Sequence, residues 1–388
     1  MSRRRGREKK GGTRDGKAQA NRGERADGPG PIPPKMFILN PRFRGLSDNI
    51  RKRRAMEREN RGLHRLIEGG KFQSVEELNS FIRPIMEAGG PPLELPENAT
   101  PLEKAQDLAW KAMDTPVGKD RIRMAEEALD IYEDCTDSYV IIGNEAMVDG
   151  DLDKALILFE KGIMAGKRTL GEQMFRENVG RFWGILETRP YMRALLGLAN
   201  TLRDMGRRGE AVKQYWEILR LNPDDNQGAR YMLMDILLED GLDEDAQRLI
   251  KEHGEEWTAD WSYTKVLLEF RRHGDGTEAR KALVQAMKAN IFVPRFLLGI
   301  MEVPDSLPDC YETGGGEEAF CYVKAAMRAW TGTIGALDWL ARSISALLQM
   351  QSKGMGRKDS MRWIMGAGTG KEEKTGPTSG EALSRGDE

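Results

Sequence analysis

Three histidines, three cysteines and one glycine-rich run are the residues whose types could carry chemistry, and their spacing supports none. His64, His253 and His273 stand in no metal-ligand spacing with one another or with a cysteine,. Two of them fall at helix ends, where a C-terminal dipole favours a cation. Cys135, Cys310 and Cys321 are odd in number and unpaired in spacing, which suits small, reduced core residues of a cytoplasmic protein,. GAGTGKEE, at 366–373, resembles a phosphate loop, but Gly366 and Gly370 are four apart instead of five,. Glu372 stands where a Ser or Thr would hold magnesium, and no strand precedes it,. No nucleophile-elbow pattern and no Cys/His pair that sequence can bring together is present,. The expectation is no catalytic residue, no cofactor and no metal. A hydrolase would need polar side chains with perturbed ionisation clustered around 181–193.

The chemistry left is recognition, and it depends on the elements that present it. YMRALLGLANTLRDMGRRGEAVKQYWEILRLNP, at 191–223, reads as one helical hairpin. Leu195, Leu198, Ala199 and Leu202 recur at helical spacing, Gly206 and Gly209 break it, and Ala211, Tyr215 and Ile218 resume it before Pro223,. These positions match the tetratricopeptide pattern, except that Ile218 replaces a small residue,. A glycine followed five residues later by an alanine recurs at Gly150/Ala155, Gly206/Ala211, Gly241/Ala246 and Gly274/Ala279, in steps of 56, 35 and 33. A 34-residue module explains the last two steps, and an insertion at 168–190 explains the first. Such hairpins bury their apolar faces only by stacking, so the sequence predicts an all-α superhelix of about four or five of them.

The predicted organisation is a disordered basic arm (1–46), an N-terminal helical hairpin (47–90), a linker (91–103), the array (104–350) and a disordered tail (351–388). The arm's first 34 residues have almost no aliphatic side chains with which to recover the entropy of ordering,. RKRR at 51–54 belongs to a basic amphipathic helix, and Ser74 with Glu77 forms a capping signal for a second helix,. Val75, Leu78, Phe81, Ile82 and Ile85 form that second helix's apolar face,. Residues 291–313 form a proline-rich connection before a last helix pair. No run of about 18 uncharged apolar residues exists and mean hydropathy is −0.59, so membrane insertion is not expected,. MFIL, at 36–39, is too short for a secretory signal core,.

In a tetratricopeptide superhelix the first helix of each hairpin lines the inner groove. The corresponding positions here are Asn144, Arg193, Asn200, Arg203 and Arg271. Arginine with asparagine at such places suits bidentate capture of a carboxylate on a peptide or protein partner. Phe182 and Trp183, in the aromatic-rich insertion, are expected to line the same groove,. An alternative partner is RNA or the ribosome, reached through residues 1–65, which carry 20 Lys and Arg against 7 Asp and Glu. That excess of +13, in a chain of net charge −2, leaves about −15 on the rest, so the two parts serve different tasks,.

Four segments occur in an order that resembles a known family: YVIIGNEAMVDGDLDKALILFEKGIMAGKR from Tyr139, WSYTKVLLEFRRHGDGTEARKAL from Trp261, ANIFVPRFLLGIMEVPDSLPD from Ala289 and GALDWL from Gly335. The likeness, over about residues 70–345, is to the suppressor-of-tumorigenicity-seven family and its soluble bacterial relatives. It implies an all-α repeat scaffold without established enzymatic activity. The membrane location ascribed to the animal members does not carry over, because this chain lacks their apolar spans. Bacterial relatives tend to have a histidine where this chain has Arg181, which argues against an essential histidine in the insertion.

Overall fold

In the computed structural model, residues 37–40, 48–91, 95–254 and 256–352 are described. Residues 1–36 and 41–46 of the expected arm, residue 47 of the expected hairpin, and 353–388 with the GAGTGKEE run lie outside them. The described chain is all-helical apart from one short strand pair. After β1 (Phe37–Leu39) come α1 (Asp48–Glu68) and α2 (Val75–Glu87). Five hairpins follow: α3 (Pro101–Asp114) with α4 (Lys119–Ile131), α5 (Thr136–Val148) with α6 (Leu152–Glu177), α7 (Arg189–Asp204) with α8 (Arg208–Leu221), α9 (Ala229–Glu239) with α10 (Asp243–His253), and α11 (Ala259–His273) with α12 (Thr277–Ala289). The short α13 (Val293–Leu297) and β2 (Cys310–Glu312) lead to α14 (Gly316–Gly332) and α15 (Ala336–Ser352).

The repeated glycine and alanine explain how each hairpin closes. Gly150, Gly206, Gly241 and Gly274 all turn with positive φ, between 59° and 79°, where an L side chain would be strained,. The paired Ala155, Ala211, Ala246 and Ala279 are completely buried, because nothing larger fits where the second helix crosses the first,. Helix starts follow local chemistry. Thr100 and Glu103 form a reciprocal capping box with Pro101 at the first helical position, and Asp151 and Thr258 accept from the amides of Lys154 and Trp261,. First helices pack on first helices (α3 on α5, α5 on α7), and each second helix packs on the next first helix, which is the layering of a tetratricopeptide-like solenoid,.

Two apolar cores result. The smaller joins α3, α4 and α5 through Ala105, Ala109, Ala112, Ala125, Ala128, Ile141 and Ile142. The larger runs from α5 to α15 and is filled by Phe159, Tyr191, Tyr215, Trp261, Tyr263, Trp330 and Trp339 among others. α5 serves both, with nine buried residues around its circumference. Packing at the second hairpin is close enough that only glycine is admitted: a Cβ at Gly197 would lie 2.2 Å from the Phe159 ring,.

Three local expectations change. The insertion is not a loop at its start, since α6 continues through it to Glu177 with a kink at Gly171 (φ 70°),. MFIL supplies a strand inside the segment read as disordered: Phe37, Ile38 and Leu39 pair antiparallel with Glu312, Tyr311 and Cys310. Asn40, buried, donates from its side chain to the Pro308 carbonyl at 2.9 Å. On α2, none of the predicted apolar face is buried, and Val75, Phe81 and Met86 are exposed.

Candidate interaction surface

The first-helix face is covered at its beginning by α1. Arg54 donates to the Met113 carbonyl at 2.7 Å, Arg58 pairs with Asp114, and Arg65 lies 3.1 Å from Glu103. The Arg61 guanidinium stands 5.4 Å above the Trp110 ring,. Glu57 reaches farther, to Arg193 at 3.0 Å and Arg189 at 3.5 Å on α7. Apart from Gly62, α1 buries no residue among those whose side chains are described, so it is held chiefly by charge. Four of the cations on this helix, Arg54, Arg58, Arg61 and Arg65, are engaged with the array, while Arg51, Lys52 and Arg53 are exposed.

Arg193 lies at the centre of this contact. Its Nε and an Nη atom donate to Asp137, 2.8 and 2.6 Å away, and the other Nη donates to Glu57. Asp137 is fully buried and also accepts from the Gln106 amide at 2.7 Å. Burial alone would lower the Arg193 pKa; the Asp137 and Glu57 carboxylates outweigh it and raise it further,. A fork bonded to two carboxylates has its donors committed, so Arg193 joins α1, α5 and α7 and is not presented to a partner.

The other end of the face is covered by α14, which packs on α9 and α11. Its buried Glu318 accepts from the Ala259 amide (2.9 Å), the Asn290 side chain (2.8 Å) and the Gly314 amide (2.7 Å). Arg271 is likewise committed, to Asp243 at 2.6 Å, to Thr333 at 2.9 Å, and to the Leu238 and Ala329 carbonyls. Asn200 accepts from the Tyr215 hydroxyl at 2.7 Å. Asn144 is exposed on α5. Phe182 is fully buried and packs on Phe175 and Tyr191 with ring centroids 5.1 and 6.1 Å away, so it belongs to the core.

Arg203 is different. Half-buried, it pairs with Asp204 at 3.2 Å and lines a cleft of about 350 Å³ between α7, α9 and α14. Arg208, Lys324 and Arg328 line it too, opposite Asp204, Asp235 and Glu239. Arg208 is taken by Glu239 and Asp240, whereas the exposed Arg328 has no ion pair among the described residues. The repeat register points to Arg203, and the structure places it at this cleft beside Lys324 and Arg328, which belong to a helix outside the repeated hairpins and carry no register signal.

No His, Cys, Asp or Glu group among the described residues is arranged to hold a metal ion. Burial pushes the Cys135 thiol up to about 11,. His64 and His273 face Glu68 and Glu269 one turn away on their own helices. Among the described residues no helix is long and apolar enough to cross a membrane.

No family model matches the chain, so the resemblance to the suppressor-of-tumorigenicity-seven family rests on its motifs alone. No curated protein matches it either. Among solved structures it is similar to YrrB, described as a TPR protein with an unusual peptide-binding site, at 19% identity and a TM-score of 0.33, over 43% of this chain and 75% of that one.

Proposed function

We propose that this protein is a non-enzymatic interaction scaffold that binds an acidic peptide or protein segment on its first-helix face. The observation supporting this is that the face already takes up two helices of its own chain, α1 by ion pairs and α14 by packing, and leaves a cationic cleft between first helices α7 and α9 and the docked α14. A surface that anchors Glu57 on Arg193 has the chemistry to anchor a carboxylate on Arg203 and Arg328,. Glycines and alanines fix the helix spacing, so the cleft is largely preformed.

The test is a selection of displayed peptides against the full-length chain, followed by Kd measurement on the enriched sequences. Enrichment of acidic sequences, with binding at least about tenfold weaker for R203E/R328E at unchanged Tm, is the expected result. Enrichment without acidic bias, or binding indifferent to the double substitution, removes the reading.

A further inference from the structure

The second half of the insertion builds a cleft of its own, separate in its lining from the charged cleft of Arg203. It measures about 500 Å³ and lies between 180–189 and the turn that joins α8 to α9. Trp183 and Ile185 supply its apolar wall, Arg181 and Arg189 its cations, and Asn222 and Asp224 face them from the turn.

Two of these groups are not accounted for by the fold. Asn222 is 3% exposed, and its side-chain nitrogen has no hydrogen-bond acceptor among the described residues. A buried amide donor without an acceptor is costly, and natural structures rarely leave one unserved. Arg181 is exposed and makes no ion pair among the described residues. By contrast Arg189 is held in place, with Nε donating to the Trp183 carbonyl at 2.9 Å and its guanidinium 5.3 Å from the Trp183 ring. That stacking fixes the aromatic wall beside the free cation.

We infer that this cleft is a binding site for a peptide carboxylate, with Arg181 and the Asn222 amide as its donors and Trp183 as the wall for a neighbouring apolar side chain. The terminal amide of Asn222 can turn about its last torsion to present nitrogen to the cleft. With Arg189 offset by Glu57, 3.5 Å away, Arg181 is the cation the cleft leaves for a ligand, and Asp224 shares the lining with it. The Asp224 carboxylate provides an acceptor for a peptide N–H, which a bare phosphate does not have. The volume fits a ligand of a few residues. This inference goes beyond the first-helix reading and stands without it, because the two clefts share no residue.

The experiment follows the Trp183 indole N–H signal by NMR in the full-length protein, assigned with Trp183→Phe. The probes are N-acetyl-Leu-Glu, its neutral counterpart N-acetyl-Leu-Gln amide, and phenyl phosphate. Expected is a saturating shift with the acidic dipeptide. The affinity should be at least about tenfold weaker for the neutral probe and for Arg181→Glu, the loss of one charge-assisted pair. Arg181 is exposed, so its variant should keep the wild-type Tm. Asn222→Asp, which places a carboxylate where the donor stood, should weaken binding at least as much, and Arg203→Glu should leave it unchanged. A shift of equal affinity with the neutral probe, or one indifferent to Arg181→Glu, would overturn the inference. No shift at all means that water alone serves Asn222. Phenyl phosphate binding tenfold tighter than the dipeptide would assign the cleft to a phosphate monoester and equally overturn it.

Discussion

The two cores solve the same packing problem with different materials. Between α3, α4 and α5 the buried side chains are chiefly alanine, so helices approach closely but each residue removes little apolar surface from water,. From α5 onward the interior adds leucine, phenylalanine, tyrosine and tryptophan to its alanines, and these bury far more area per residue,. The alanine core is supplemented by polar clamps. Arg121 pairs with Glu145 at 3.0 Å with both side chains nearly buried, and Asp137 receives Gln106 and Arg193. Close packing of small residues leaves the first hairpin reliant on its charge pairs, whereas buried charges around the larger core, such as Glu318 and Asp225, accompany large apolar side chains.

The largest effect is expected in the aromatic core. Phe159, fully buried between Gly143 and Gly197, should cost about 3–5 kcal/mol on replacement by alanine and lower the main unfolding transition in calorimetry,. An effect confined to α3 and α4 would contradict the division into two cores. Arg193→Ala comes next, at about 3 kcal/mol, because it leaves the buried Asp137 carboxylate short of its cation,. Hydrogen exchange should show α1 and the start of α5 losing protection before α11 does.

A pH effect should appear beside the larger core, in the turn between α8 and α9. Burial pushes the Asp225 carboxyl from 3.8 to about 6, against the opposing pull of Arg230 and the amides of Arg230 and Ala229. The fold therefore prefers the protonated acid. Its stabilising contribution is complete below pH 3.8 and is lost as pH rises through about 6, a change of about 2–3 kcal/mol,. Asp225→Asn should flatten stability against pH in that window, as read from denaturant midpoints at pH 4 and 7. The smallest effect is Glu57→Gln, about 1 kcal/mol, because the amide oxygen can still accept from Arg193 and Arg193 keeps Asp137 as its counter-ion,. Limited proteolysis within α1 should accelerate while the calorimetric transition stays in place.

Much of this was legible in the sequence for a physical reason. A glycine that must adopt positive φ and an alanine that must fit a helix crossing are local requirements, and Gly206 with Ala211 displays both within six residues. Arg203 could be placed by counting from them. Contacts made across the chain left no such mark. Nothing near Glu57 indicates Arg193, 136 residues away, and nothing near Phe37 indicates Glu312. Trp183 and Phe182 are neighbours of like character, and only the backbone path decides that one is buried and the other lines a cleft.

The pairing of β1 with β2 bears on how the molecule would carry a load. It fastens residue 37 to residue 312, so a pull applied between handles placed at those two residues is borne by three residue pairs before it reaches the hairpins from α3 to α12. Stretched in an optical trap from those handles, the chain should first yield at that strand pair, releasing roughly 270 residues to tension together. The repeats would then come apart from a solenoid that had been mechanically short-circuited until that moment.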